Sequence, residues 1–261
     1  RVCDAQRVPE TGGALLVPNH VSFLDGLFLF AAIDRPIRFV VEQHWYERPY
    51  LKPFLKALGA IPITASGGPR VVLRALREAG KALDDGQLVC LFAEGEISRM
   101  GSTLPFRRGM KRILKGRSVP VIPVQLDRVY GSLLSAREGR LQWWPTKVPC
   151  PVTVLFGEPM PADVLPAEVR RKVDELAEIA WQLRAEDRRP LHCEFVKRVR
   201  RAPWRPAFAN SEGRRMSRLQ GLASAIVLAR RLDAPCKGQQ NLGVLLPPSI
   251  GGALAAIAMS L

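Results

Sequence analysis

The sequence predicts an α/β fold in which a mainly parallel central sheet is flanked by helices. Apolar runs of strand length alternate with segments of helical periodicity from residue 14 to about residue 184, the pattern of strand–helix–strand units. One run, Leu88-Val89-Cys90-Leu91-Phe92, is apolar throughout and bounded by polar turns, as expected of a central strand covered on both faces. A third sign is the position of Asn19-His20-Val21-Ser22-Phe23-Leu24-Asp25, between a strand-length run and a helix-length run. Chemistry in α/β sheets gathers at such strand ends.

Taken in order, Gly12-Gly13 turns the chain into a first strand over 14–18, and residues 27–33 supply the apolar part of a helix. Pro36 precedes a strand over 37–41. A helix is expected from about Tyr50, with Leu51, Phe54, Leu55 and Leu58 on one face. Residues 59–63 read as a short strand, and Pro62 within it argues for a sheet edge or a bulge. Residues 71–83 form an amphipathic helix with Val72, Leu73, Leu76, Ala79 and Leu83 at helical spacing. Strands follow over 119–124 and 151–156. Pro166 opens a helix to about Arg184 that buries Val169, Val173, Leu176, Ile179, Ala180 and Leu183. The first domain closes near residue 187. Beyond it, residues 188–217 read as a basic linker with a short helix at 191–199. A helix over 218–232, a strand over 242–246 and a helix from about Ser249 then open a second α/β domain.

The chain has 261 residues and a net charge of +15, which points to an acidic partner: nucleic acid, an anionic membrane surface or an acidic protein. Aromatic residues make up 7% of it and form no aromatic–basic repeat, so nucleic acid is set aside. The five cysteines form neither a metal-type pairing nor a disulfide framework. With three histidines, no metal site is expected, and a reducing compartment fits. Pro247, Pro248, Gly251 and Gly252 interrupt the longest apolar stretch, so no membrane span is expected. The chain starts at Arg1 and ends at Leu261 inside an apolar run, the look of a piece of a longer polypeptide.

Two readings of the central motif stand side by side. In one, Ser22 caps the helix and Asp25 completes a capping-box-like pair. In the other, Asp25 fixes the tautomer of His20 and leaves its second nitrogen as a general base. The segment from Arg99 to Arg117 holds seven Lys or Arg and no acid; it is either a solvated helix face or an anion site at a helix N-terminus.

Taken together, the motifs resemble those of the glycerophospholipid (lysophospholipid) acyltransferases. Asn19-His20-Val21-Ser22-Phe23-Leu24-Asp25 is similar to their His-four-residues-Asp signature. Phe92-Ala93-Glu94-Gly95-Glu96-Ile97-Ser98-Arg99-Met100-Gly101 resembles their Glu-Gly phosphate-site motif, and Phe106-Arg107-Arg108-Gly109 their Phe-Lys-Lys-Gly element. Val119-Pro120-Val121-Ile122-Pro123-Val124 is similar to their last motif, and Gly59-Ala60-Ile61-Pro62-Ile63 sits where the second belongs. The order and spacing match over about residues 13–160. The sequence departs from the pattern at Ala93, at Glu96-Ile97 in place of Thr-Arg, and at Thr64-Ala65 where an Arg is expected. These relaxed motifs resemble the subfamily fused to an acyl-carrier-protein synthetase, which acts on 2-acylglycerophosphoethanolamine. Residues 191–261, notably Asn241-Leu242-Gly243-Val244-Leu245-Leu246-Pro247-Pro248, look like the start of its adenylate-forming half.

The resemblance implies an acyltransferase domain over 1–187, the linker over 188–217 and an N-terminal fragment of an AMP-binding synthetase domain over 218–261. It implies transfer of a fatty acyl group from acyl carrier protein or coenzyme A to lysophosphatidylethanolamine in phospholipid remodelling, with no further cofactor. The alternatives are a 1-acylglycerol-3-phosphate acyltransferase, a non-catalytic basic membrane-docking module, and a hydrolase using Ser22 or Ser98. His20 and Asp25 would be catalytic; Glu94, Gly95, Arg99 and Arg108 would hold the head group. Donors near the Glu94-Gly95 turn would steady the oxyanion, and residues 27–33 would line an acyl channel or simply be core. The partners implied are a lysophospholipid, an anionic membrane surface and acyl carrier protein, at the cytoplasmic face of the bacterial inner membrane.

Overall fold

A strand in which every residue is apolar has no face to give to water. At the centre of this molecule Leu15 and Val17 pack on one side of the sheet, and Ala14 and Leu16 on the other. The structure, a computed structural model, describes residues 1–64, 67–132, 134–137, 140–142, 150–186, 190–210, 213–239, 243–247 and 249–261. The chain divides into two compact units, Arg1–Arg184 and Ala185–Leu261.

In the first unit the elements run β1 (Val2–Cys3), a 3-10 turn (Ala5–Arg7), β2 (Ala14–Pro18), α1 (Asp25–Phe30), β3 (Ile37–Glu42), α2 (Gln43–Tyr46), α3 (Lys52–Ala57) and β4 (Ile61–Ile63). They continue with α4 (Gly68–Asp84), β5 (Leu88–Cys90), α5 (Gly109–Leu114), β6 (Val121–Asp127), the hairpin β7 (Ala136–Arg137) and β8 (Arg140–Leu141), β9 (Thr153–Phe156) and α6 (Pro166–Glu186). The seven-stranded sheet has the order β1-β9-β6-β2-β5-β3-β4. The run from β6 to β4 is parallel, β9 is antiparallel to β6, and β1 pairs parallel with β9. The strand carrying Pro62 lies at the sheet edge, where a missing N–H costs no ladder bond.

Helices α4 and α5 cover one face through Leu76, Ala79, Leu83, Met110 and Ile113. On the other, Leu29 of α1 packs with Ile122, Val124 and Phe156. Gly13 lets the entry to β2 pass against the end of α4, since a Cβ there would collide with the Leu83 carbonyl. Because β2 and β5 are parallel neighbours, the loops that leave their C-terminal ends lie side by side, and these loops hold His20 and Glu94.

Helix α6 is tied to β6 by an ion pair. Arg184 Nε donates to Asp127 Oδ2 at 2.7 Å, and a second guanidinium nitrogen reaches the other oxygen. Asp127 is buried, so removing its partner strands a charge that, among the described residues, is left to Arg128 at 3.9 Å. Arg184→Met is expected to cost about 2 kcal/mol in urea unfolding, and Asp127→Asn in the same chain to recover part of it.

Several expectations need correction. The helix after His20 ends at Phe30 rather than 33, and Leu27 and Phe30 on it are exposed while Leu29 is core. The helix expected from about Tyr50 to Leu58 is α3, shortened to Lys52–Ala57, and a further short helix, α2, precedes it; neither buries a residue, and Phe54, expected on a packed face, is exposed. On α6, Ile179 is exposed although its spacing matches the buried stripe.

The second unit contains α7 (Leu191–Arg201), an antiparallel hairpin of β10 (Pro206–Ala209) and β11 (Arg215–Ser217), α8 (Arg218–Cys236) and α9 (Ile250–Ser260). Ala225, Ile257 and Ala258 form its core with Phe195 and Phe208 against them. Within the stretch expected as a basic linker with a short helix, Phe195 and Phe208, rings 5.8 Å apart, pack against this core. Ser217 starts α8 with a capping box, its Oγ accepting from Gln220 N at 3.2 Å and its own N–H donating to Gln220 Oε1 at 3.0 Å. The strand expected over 242–246 is absent from the described part, 243–246, where Leu245 is fully exposed; Asn241, Leu242 and Pro248 lie outside the described residues. Among the described residues no helix is long and apolar enough to cross a membrane.

Candidate active site

The loop after β2 is folded around one carboxylate oxygen. Asp25 Oδ2 accepts from Val21 N at 2.7 Å, from Ser22 N at 2.9 Å, and lies 2.9 Å from His20 Nδ1. Asp25 is fully buried at the start of α1, where the helix dipole favours its negative charge. Its other oxygen, Oδ1, is buried with no hydrogen-bond partner among the described residues. The capping reading is half right: Asp25 reaches back to the Ser22 N–H as in a capping box, but Leu24 is the N-cap residue and no side chain caps it. Ser22 Oγ instead accepts from Leu24 N at 3.1 Å. The capping reading and the tautomer-fixing reading therefore describe one arrangement.

With Nδ1–H donating to Asp25, the neutral imidazole presents Nε2 as an acceptor. The ring is stacked on Phe92, centroids 4.1 Å apart and planes at 27°. Its side chain keeps 18% of its surface exposed, so a reactant can approach. Phe92 reads in the sequence as the last residue of an apolar strand. It lies past the end of β5, and its ring platform follows only from β5 being the parallel neighbour of β2.

Glu94, expected to hold the head group, lies inside the loop that follows β5. It is 2% exposed, with Oε1 accepting from His20 N at 2.8 Å and Oε2 from Leu104 N at 3.0 Å. Burial pushes its carboxyl up to about 7, with the Asp25 charge acting in the same direction; the two backbone donors and the His20 ring oppose the rise. Glu94 thereby fastens the His20 loop to the 98–104 loop, and a second tie runs from Ser98 N to His20 O at 2.8 Å.

Gly95 has φ +74°, a left-handed turn that suits glycine, and its N–H donates to Phe92 O at 3.0 Å. That N–H is therefore engaged within the turn. The cation over this turn is Arg107, whose Nε donates to Glu94 O at 3.0 Å and whose N–H donates to Ala93 O at 2.8 Å. A Cβ at residue 95 would collide with the Arg107 side chain. Arg99 and Arg108 are exposed; the Arg99 carbonyl accepts from the Tyr130 hydroxyl at 3.1 Å, and Arg108 is the N-cap residue of α5. The structure thus gathers His20, Asp25, Glu94 and Gly95, and adds Phe92 and Arg107. Ser98 Oγ is buried and donates to Ser102 O at 2.6 Å, an arrangement unlike an activated nucleophile. Among the described residues no group of three or more His, Cys, Asp or Glu could hold a metal ion.

Residues 1–127 match the Acyltransferase family. The chain is 26% identical over 162 residues to the chloroplastic 1-acyl-sn-glycerol-3-phosphate acyltransferase BAT2 of Brassica napus, covering 61% of this chain and 45% of that protein. It is 28% identical over 153 residues to the 1-acyl-sn-glycerol-3-phosphate acyltransferase of Limnanthes douglasii, covering 58% and 51%. The chain spans about half the length of the curated relatives it matches. Among solved structures, the 1-acyl-sn-glycerophosphate (LPA) acyltransferase PlsC of Thermotoga maritima is similar with a TM-score of 0.56 at 25% identity, covering 70% of this chain and 71% of that one. These relatives are named for a phosphate-bearing acceptor, against the expectation of an ethanolamine-type one, and none is named for a synthetase.

Proposed function

We propose, from the Acyltransferase-family segment over residues 1–127, that the first unit moves a fatty acyl group from an acyl thioester to the free hydroxyl of a 1-acylglycerol-3-phosphate. The observation that carries this is the His20 Nδ1–Asp25 Oδ2 pair at 2.9 Å, with the ring partly open to solvent. His20 Nε2 takes the hydroxyl proton as the oxygen attacks the thioester carbonyl. The carbon–sulfur bond breaks, the imidazolium returns its proton to the leaving thiolate, and an ester and a free thiol result. Asp25 stabilises the imidazolium that exists between these two proton transfers.

Glu94 acts as a positioning residue. Its carboxylate would repel a phosphate, and both its oxygens already hold backbone N–H groups. Phosphate contact falls instead to Arg107, which leans over the Gly95 turn with its exposed guanidinium 3.9 Å from the equally exposed Glu96, and to Arg99 and Arg108 nearby in sequence. The name shared by the relatives favours this acceptor over lysophosphatidylethanolamine.

The test is an acceptor panel with one acyl thioester donor: lysophosphatidate, lysophosphatidylethanolamine and lysophosphatidylglycerol. Lysophosphatidate should be acylated fastest, and His20→Ala should lower kcat by about 10²–10⁴-fold. Free fatty acid released without any acceptor would mean hydrolysis instead. A preference for lysophosphatidylethanolamine would return the reading to the ethanolamine-type subfamily.

A further inference from the structure

We propose that the α2–α3 segment is the surface by which this unit docks on an anionic lipid bilayer, at the mouth of the His20 site. Helices α2 and α3 have four and six residues and bury none of them. Helices this short gain little from their own hydrogen bonds in water, so a face without core contacts needs another reason to exist. Four of the chain's 18 aromatic residues, Trp45, Tyr46, Tyr50 and Phe54, fall in residues 43–57. That density is far above the chain's average, and two of the four are strongly exposed: Tyr50 at 68% and Phe54 at 43%.

The charges on the same segment have one dominant sign. Arg48, Lys52 and Lys56 are set against Glu47 alone, and Glu47 is bonded to Gln43 at 2.6 Å. Tyrosine and tryptophan interleaved with lysine suit a bilayer interface, where the rings sit at head-group depth and the lysine stems lie along them. An anionic leaflet adds attraction for each basic residue near its surface. Arg48 lies over the Trp45 ring, 5.6 Å from its centroid, while Lys52 and Lys56 are exposed; a nonpolar protein partner would match the rings but leave these two lysines unanswered.

The segment adjoins the candidate active site. Phe23, three residues past His20, lies 4.5 Å from Trp45, and Phe23, Leu27 and Phe30 continue the exposed apolar surface along the start of α1. An acceptor with its acyl chain still in the bilayer would meet His20 without leaving the lipid. This inference rests on the proposed acyl transfer only for its purpose; docking is measured without the reaction.

Co-sedimentation of the full chain with vesicles tests it. Equal parts of phosphatidylglycerol and phosphatidylethanolamine are compared with phosphatidylcholine alone. The pair Lys52→Glu/Lys56→Glu should weaken binding to the anionic vesicles by about tenfold or more, and Tyr50→Ala/Phe54→Ala should weaken binding to both vesicles. The pair Arg74→Glu/Arg77→Glu, on the exposed side of α4, changes net charge equally and should keep binding within about threefold of wild type. All variants should unfold at the wild-type urea midpoint, because the altered side chains are exposed.

Transfer to a short-chain lysophosphatidate below its micelle concentration, with no vesicles present, reports the chemistry separately. The patch variants should keep the wild-type rate there and lose it on vesicle-embedded acceptor. Wild-type binding by the patch variants, or an equal loss in the α4 pair, overturns the docking surface. So does a concentration-dependent dimer that the patch variants dissociate while vesicle binding is unchanged. An inactive wild type on the short-chain acceptor overturns the acyl-transfer reading and leaves docking to be judged by sedimentation.

Discussion

Asp25→Asn is expected to lower kcat for acyl transfer by about 10³–10⁴-fold while leaving the chain folded. An asparagine carbonyl in the place of Asp25 Oδ2 can still accept from Val21 N, Ser22 N and His20 Nδ1. The loop would therefore keep its shape, and the new amide nitrogen would occupy the position of Oδ1, where no acceptor waits among the described residues. That unpaired donor should cost about 1–3 kcal/mol of stability. The kinetic loss has a different source: the negative charge that steadies the imidazolium is gone, and an amide flip would present the wrong tautomer. Because Asp25 is fully buried, KM should change little. The check is steady-state kinetics beside a urea midpoint. If kcat were to fall by less than about tenfold, Asp25 would be a loop-folding residue and the general-base assignment of His20 would be wrong.

Glu94→Gln separates positioning from head-group binding. A glutamine offers one acceptor oxygen where two backbone donors, His20 N and Leu104 N, need one each. One loop must let go, and the His20 ring would shift relative to Phe92. We expect kcat to drop by about 10–100-fold, the scale of a misplacement of about 1 Å, with KM for the acceptor within about twofold of wild type. Were Glu94 a head-group ligand, KM would rise and kcat would be kept.

The same residue has a signature in stability. Its carboxyl is raised from 4.5 to about 7, first by burial, with the two backbone donors resisting. Between those values the folded protein holds a proton that the unfolded chain has released. This group's contribution to stability is therefore fully present below pH 4.5 and is lost as pH rises through about 7. Urea midpoints measured across pH 4.5 to 8 should show the wild type losing stability relative to Glu94→Gln as pH rises, and a flat difference above the folded value. A difference independent of pH would mean that Glu94 is ionised throughout.

What the sequence determined by itself is the set of elements with strong periodicity and the chemistry-bearing loop. Residues 14–18 and 88–92 are apolar at every position, which only a strand covered on both sides explains, and both are central in the sheet. The spacing of His20 and Asp25 sufficed to suggest their contact, because five residues across a tight turn bring two side chains together without help from the rest of the chain. The edge position of Pro62 followed from its missing N–H.

Tertiary structure decided the matters that depend on which strand lies beside which. Glu94 and Leu104 are remote from His20 in sequence, and only the parallel pairing of β2 with β5 brings the Glu94 carboxylate to the backbone N–H groups of both. The same pairing sets Phe92 under the imidazole and brings Arg107, rather than Arg108, over the Gly95 turn. Burial, too, is a property of the assembled unit. Phe54 and Ile179 have the spacing of core residues, yet nothing packs over them, because a periodic pattern states which side chains share a face and not whether a neighbour covers it. In the second unit, Phe195 and Phe208 fold a basic stretch onto α8 by long-range apolar contacts that its charge density conceals.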